Sequence, residues 1–261
     1  MNDALQIAAT GMLTQQTQVR AIASNLGNMN TSGFKRVRVG FAEMLTRSGA
    51  PEVALAGDGA APQAGPVSLG VRVTGSLRSF EAGEFRRTGA PLDVAVRGTG
   101  FLELSHADGS LSYWRGGSLS ISPEGQLLGP GGLVLRPGIT LPDNAQSLTI
   151  NEDGRVTWRL AGSAVPQAGG SLQLVRFASP DALDAQGDNL YRPTEASGPP
   201  IAGHPGEEQF GLLAQGYLEA SNVRMIDEMV GLMMAQNGYG ACLKVVQAAD
   251  EMDGLVNNLR R

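Results

Sequence analysis

The stretch SNVRMIDEMVGLMMAQNGYGACLKVVQAADEMDGLVNNL, residues 221–259, decides how the rest of the chain is read. It has no proline, and apolar residues recur at helical spacing: Ile226, Val230, Met233, Ala241, Val245, Ala248, Met252, Leu255 and Leu259. Steps of three and four residues place these side chains on one stripe of a helix. Met229, Leu232, Met234, Leu243 and Val246 widen the stripe beyond a simple two-helix seam. Asn222 is expected to cap the start, and Asp227 and Glu228 suit the positive end of the helix dipole. At ~1.5 Å per residue the helix runs roughly 55 Å, longer than a compact domain of this size needs. Gly238 and Gly240 fall inside it, each costing about 0.5–1 kcal/mol relative to alanine. They predict either a kink or the close approach of a neighbouring subunit.

A helix of that length calls for a long partner, and the other end of the chain offers one. Asn2 or Asp3 can cap a helix that runs to about Leu26. Leu5, Met12, Val19 and Leu26 stand seven apart, with Ala8, Ala9, Gln15, Gln16 and Ile22 between them. A heptad with small and polar members favours close helix–helix approach over a bulky core. Gly27 and Asn28 come next as a C-cap. All 14 prolines lie between Pro51 and Pro205, so both ends can be helical while the middle carries strands and turns. The expected fold class is α+β, with long, coiled-coil-like terminal helices enclosing a β-rich central domain. The expected segments are 1–45 (helix and turn), 46–66 (Gly/Ala/Pro-rich), 67–215 (β-rich) and 216–261 (C-terminal helix).

Within the middle, Val67 to Phe80 alternates as a strand, and Glu81-Ala82-Gly83-Glu84 is expected to turn it back. Leu92 to Val96 reads as a strand leading into Gly98-Thr99-Gly100. A dinucleotide loop fails here, because Glu103 holds the third glycine position and residues 101–104 alternate as a strand. A β-hairpin turn is expected instead. Asp108-Gly109, Glu124-Gly125 and Asp153-Gly154 mark further turns between strands such as 147–150 and 156–160, and 171–177 is another strand. Asn151 to Gly154 is too short for a calcium loop.

Composition excludes several classes of function. A net charge of −5 argues against nucleic acid as the main partner. Lys35, Arg36 and Arg38 therefore read as a solvated or intersubunit face. No apolar run approaches the roughly 20 residues needed to span a bilayer, and no cleaved secretory signal is visible. The two histidines, His106 and His204, sit in polar turns far apart, which does not make a metal site. Cys242, the single cysteine, reads as a small buried apolar residue. No catalytic constellation, cofactor site or metal site is expected.

Two motifs identify a family resemblance. Asn25-Leu26-Gly27-Asn28-Met29-Asn30-Thr31-Ser32-Gly33-Phe34-Lys35 resembles the signature that succeeds the N-terminal helix of bacterial flagellar rod and hook proteins. Gly216-Tyr217-Leu218-Glu219-Ala220-Ser221-Asn222-Val223 is similar to the matching C-terminal signature of that family. Met229, Gln236, Tyr239, Lys244, Gln247, Glu251 and Met252 fit the family's pattern in the helix beyond it. Gly33 would take a positive φ and Phe34 would anchor the turn against the next subunit. The 47–66 stretch resembles, in position and size, the segment that sets distal rod members apart.

The resemblance implies a structural subunit, not an enzyme, that polymerises helically into the distal rod and carries motor torque to the hook and filament. Another rod or hook subunit, or a glycan-binding or glycan-cleaving module, is the alternative. Implied partners are further copies of the chain, proximal rod and hook proteins, basal-body rings and the type III export apparatus, with no nucleic acid and no membrane insertion. The implied location is the flagellar basal body from periplasm to outer membrane. Leu5, Met12, Val19, Leu26, Asn28, Phe34, Leu218, Asn222, Val245, Met252 and Leu259 are the expected assembly residues.

Overall fold

The computed structural model describes residues 2–46, 67–142, 144–160 and 165–259. Two helices, α1 (Asn2–Gly27) and α2 (Met225–Leu259), flank a β-rich central region, so the fold is α+β. The stretch 47–66 lies outside the described residues. The described residues divide into two compact units: 2–25, 37–46, 67–77 and 225–259 form one, and 26–36 with 78–142, 144–160 and 165–224 form the other.

The first unit holds α1, α2 and a two-stranded ribbon of Val37–Thr46 and Val67–Arg78. Helix α2 runs unbroken through Gly231, Gly238 and Gly240, so those glycines do not end it. Its start differs from expectation. The helix begins at Met225, and Asn222 does not cap it, because the Asn222 side chain is committed elsewhere. The ribbon reaches α1 where Val71 N–H donates to Thr10 Oγ1 at 3.4 Å.

The second unit is built on a seven-stranded sheet, and its core contains Leu102, Leu104, Leu127, Leu135 and Leu174, all withdrawn from solvent. An aromatic cluster of Phe80, Phe101, Tyr113, Phe177 and Tyr191 packs edge to face, with Tyr113 and Phe177 centroids 4.9 Å apart. The turns at Gly109, Gly125 and Gly154 form where Asp-Gly and Glu-Gly predict them, each glycine at positive φ.

Three connections differ from the sequence reading. Strands Asp93–Arg97 and Leu102–Ser105 do not pair as a hairpin; the first joins a three-stranded sheet, the second the seven-stranded one. Residues 171–177 split, with Gln167–Ser171 pairing to Arg155–Leu160 and Leu174–Arg176 pairing to Ile201–Gly203. Glu81 to Glu84 does not fold the preceding strand back on itself; Phe85–Arg87 pairs with Tyr217–Glu219 instead.

Candidate assembly interface

In the first unit the two terminal helices pair through small residues. A Cβ built on Gly11 would lie 3.0 Å from Cys242 Sγ, one on Gly238 3.0 Å from Gln15 Nε2, and one on Gly231 3.4 Å from Ile22 Cδ1. Asn25 Nδ2 closes the series, donating to Glu228 Oε2 at 3.1 Å. Moving up α1 through Gly11, Gln15, Ile22 and Asn25, each step is matched by an equal step down α2 through Cys242, Gly238, Gly231 and Glu228. That is one antiparallel register, and Ala8, Ile22, Asn25, Glu228, Ala235 and Ala249 are buried along it. Glycine and alanine let the backbones approach closely, which accounts for Gly231 and Gly238 inside α2 but not for Gly240, where an added Cβ would meet nothing within 4 Å.

The seam is not the stripe read from the sequence. Hydrophobic periodicity gives large side chains most weight, yet Ile226 is 76 % exposed, Met233 55 %, Val245 48 % and Met252 51 %. Leu5, Met12, Val19 and Leu26 are half-buried, and the Leu259 side chain lies outside the described residues. The intrachain pairing thus uses a different face from that of the expected residues. It leaves Ile226, Met229, Val230, Met233 and Met234 facing solvent on α2, an apolar area of the kind that marks interaction sites.

In the second unit the two signature motifs are joined by a buried charge cluster. Lys35 Nζ donates to Glu219 Oε1 at 2.7 Å and to the Glu81 carbonyl at 2.8 Å. The same carboxylate oxygen accepts the Gly83 N–H at 2.8 Å, and Arg115 Nε lies 3.7 Å from Glu219 Oε2. Gly33 N–H donates to the Glu219 carbonyl at 2.7 Å, tying the motif backbones together as well. Burial pulls the Lys35 ammonium below the usual lysine range; Glu219 pulls it back up, and Arg115 pushes it down again. Lys35 therefore is not part of a solvated basic face, which corrects the reading for that residue, while Arg38 is exposed.

Arg115 explains the Gly-x-Gly stretch. Its Nη2 donates to the Gly98 carbonyl at 2.9 Å, with the Val96 and Gly100 carbonyls at 3.5 and 3.4 Å from its guanidinium. Gly98 and Gly100 hold φ of 101° and 133°, a backbone region that favours glycine, in the loop whose carbonyls face the guanidinium. A phosphate-binding loop offers N–H groups to an anion. This one offers carbonyls to a cation.

Asn222 accepts the Arg36 N–H at 2.7 Å and donates to the Ser79 and Glu81 carbonyls. Gly33 has the expected positive φ of 74°, and Phe34 is buried within its own unit with the Arg78 guanidinium over its ring. Asn28 accepts from the Thr31 hydroxyl at 3.3 Å, and Leu218 is half-buried opposite Arg86. Asn28, Phe34, Leu218 and Asn222 thus each have a partner within the second unit. Sequence reading missed Lys35, Glu219, Arg115, Asn25 and Glu228. His106 pairs with Ser112 Oγ at 2.7 Å and His204 is exposed. Among the described residues no cluster of His, Cys, Asp and Glu is placed to hold a metal.

Comparison with known proteins gives three matching family profiles. Residues 5–35 match one described as flagella basal body rod protein, 95–158 one described as the flagellar hook protein FlgE/F/G D1 domain, and 214–259 one described as the flagellar basal body rod FlgEFG protein C-terminal. The chain is 38 % identical to the flagellar basal-body rod protein FlgG of Caulobacter vibrioides, over 98 % of this chain and 99 % of that one. It is also 38 % identical to FlgG of Borreliella burgdorferi over the full length of both. FlgF of Caulobacter vibrioides is 30 % identical over 97 % of this chain and 95 % of its own. Within one organism the FlgG protein is therefore nearer than its FlgF.

Proposed function

Because the chain belongs to the flagellar basal-body rod protein FlgG family, we propose that it polymerises helically into the distal part of the rod. It is a structural subunit of the basal-body rod. The family is structural and not enzymatic. The single observation that carries the finer reading is the unpartnered apolar face of α2, from Ile226 to Met234, on a helix already paired to α1 through its opposite, small-residue face. A helix with two apolar faces has one for its own chain and one for another.

Polymerisation through heterologous contacts of this kind propagates without closing, as a shaft requires. In that assembly the paired helices line the tube with coiled-coil-like packing, and Leu5, Met12, Val19 and Leu26 meet Val245, Met252 and Leu259 of neighbouring copies. Torque passes through many packed interfaces, because close-packed side chains deform little. The ends of the polymer meet proximal rod and hook proteins, and its sides meet the ring proteins. The chain reaches the periplasm through the flagellar export apparatus.

Sedimentation and electron microscopy of the purified chain test this reading. Wild type is expected to form rod-like polymer, and Met252→Asp to stay monomeric with an unchanged melting temperature, since Met252 is half in solvent already. Polymer formation by Met252→Asp at the wild-type level would overturn it.

A further inference from the structure

Five of the nine methionines lie on α2, and all five are exposed: Met225 (45 %), Met229 (51 %), Met233 (55 %), Met234 (67 %) and Met252 (51 %). Met225, Met229 and Met233 are four residues apart, so their thioethers line one face of the helix, with Ile226 and Val230 between them. Met12 and Met29, by contrast, are half-buried, and the thiol of Cys242 is turned into the seam against Gly11. The sulfur that this helix presents to solvent is thus thioether sulfur.

We propose that Met225, Met229 and Met233, with Met234, form an oxidation site at which hydrogen peroxide blocks subunit assembly. A thioether sulfur lone pair attacks one peroxide oxygen as the O–O bond breaks. The sulfur gains that oxygen and is oxidised to the sulfoxide; the other oxygen leaves as water, taking both protons of the peroxide. An apolar, flexible side chain becomes a polar one. The new S=O acceptor is satisfied by water on a free chain, but it finds no donor when pressed against an apolar neighbour. Oxidation therefore leaves the monomer fold intact, because these side chains are outside the helix seam, and acts on the next binding event. In polymer the same sulfurs are covered, so the site is open only before assembly. This step rests on the assembly reading above; the order of reactivity does not.

The test treats the dilute full-length chain with hydrogen peroxide and maps the added oxygen by peptide mass spectrometry. Met225, Met229, Met233 and Met234 are expected to oxidise ahead of Met12 and Met29, and the oxidised chain to lose sedimenting polymer while its helix content is retained. Reduction by methionine sulfoxide reductases should restore polymer. A Met225→Leu/Met229→Leu/Met233→Leu/Met234→Leu/Met252→Leu chain, in which the equally exposed Met252 is also replaced, should polymerise before and after peroxide. Equal reactivity of Met12, or normal polymer from the sulfoxide form, overturns the proposal. An untreated wild-type chain that never polymerises overturns the assembly reading itself, and with it the functional half of this inference.

Discussion

The Lys35 ammonium lies 2.7 Å from the Glu219 carboxylate with both side chains sealed from solvent, and Arg115 stands on the carboxylate's other side. The cluster therefore holds two cations and one anion. Its members do not contribute equally. Lys35→Met leaves Glu219 and Arg115 as a neutral pair. Glu219→Gln leaves two buried cations facing each other, which burial in a low dielectric makes far worse. Breaking a buried pair costs about 3–5 kcal/mol, and Glu219→Gln is expected at or above the top of that range with Lys35→Met below it. Urea unfolding at neutral pH measures both. The reverse order would mean that Arg115 is held by its carbonyl cage alone.

Asn222 is the second joint between the motifs. Its amide satisfies one backbone N–H and two backbone carbonyls, at Arg36, Ser79 and Glu81. Asn222→Leu keeps the branched shape and strands these groups, at a cost of about 1–3 kcal/mol for each left buried and unpaired. Asn222→Asp retains the acceptor toward Arg36 but presents its second oxygen to two carbonyls. Both variants are expected to lower the denaturation midpoint, Asn222→Asp recovering part of the loss as pH falls and the carboxyl protonates. An unchanged midpoint for Asn222→Leu would show that water replaces the amide.

Much of this architecture was legible in the sequence, for reasons that can be located. Proline-free ends carrying apolar residues at helical spacing predict α1 and α2, and Asp-Gly and Glu-Gly predict hairpins at Gly109, Gly125 and Gly154. What periodicity could not supply was the face. Helices that touch through Gly11, Gly231 and Gly238 bury Ile22 and three alanines along the seam, so a hydrophobicity scale registers it only weakly. The Lys35–Glu219 pair spans 184 residues, and no local pattern reports it. One signal was available. Only Lys35 and Lys244 are lysines among 20 basic residues, so a lysine in a Gly-Phe-Lys turn departs from the chain's strong use of arginine. A compact ammonium fits where a planar guanidinium does not.

The glycines of α2 separate two roles that sequence leaves merged. A Cβ at Gly240 meets nothing within 4 Å, so Gly240→Ala removes a helix penalty of about 0.8–1 kcal/mol and should raise the melting temperature of the isolated chain. Gly11 is different, since even one added carbon comes within 3.0 Å of Cys242 Sγ. Gly11→Val adds bulk into the seam and is expected to lower the melting temperature despite valine's better helix propensity. If Gly240→Ala stabilises the chain yet weakens polymer, the space over Gly240 belongs to a neighbouring copy.

Alkaline pH probes the core of the second unit through Tyr113. Burial first, and then Glu103 across the strand pair, push its phenol from 10.0 up to about 12. The folded chain therefore holds this proton more tightly than the unfolded chain does. Stability from Tyr113 is fully present below pH 10 and is lost as pH rises toward about 12, where the folded phenol ionises. Tyr191 is raised in the same sense by burial, while Lys35, lowered by burial, contributes an opposite slope below 10.5. Tyr113→Phe removes the Tyr113 share alone. Denaturation midpoints measured from about pH 9 to about pH 12 should thus fall less steeply in Tyr113→Phe than in wild type, and phenolate absorbance of the folded wild type should lag behind that of the unfolded chain. Parallel pH profiles for the two chains would mean that Tyr113 ionises in the fold as it does in water.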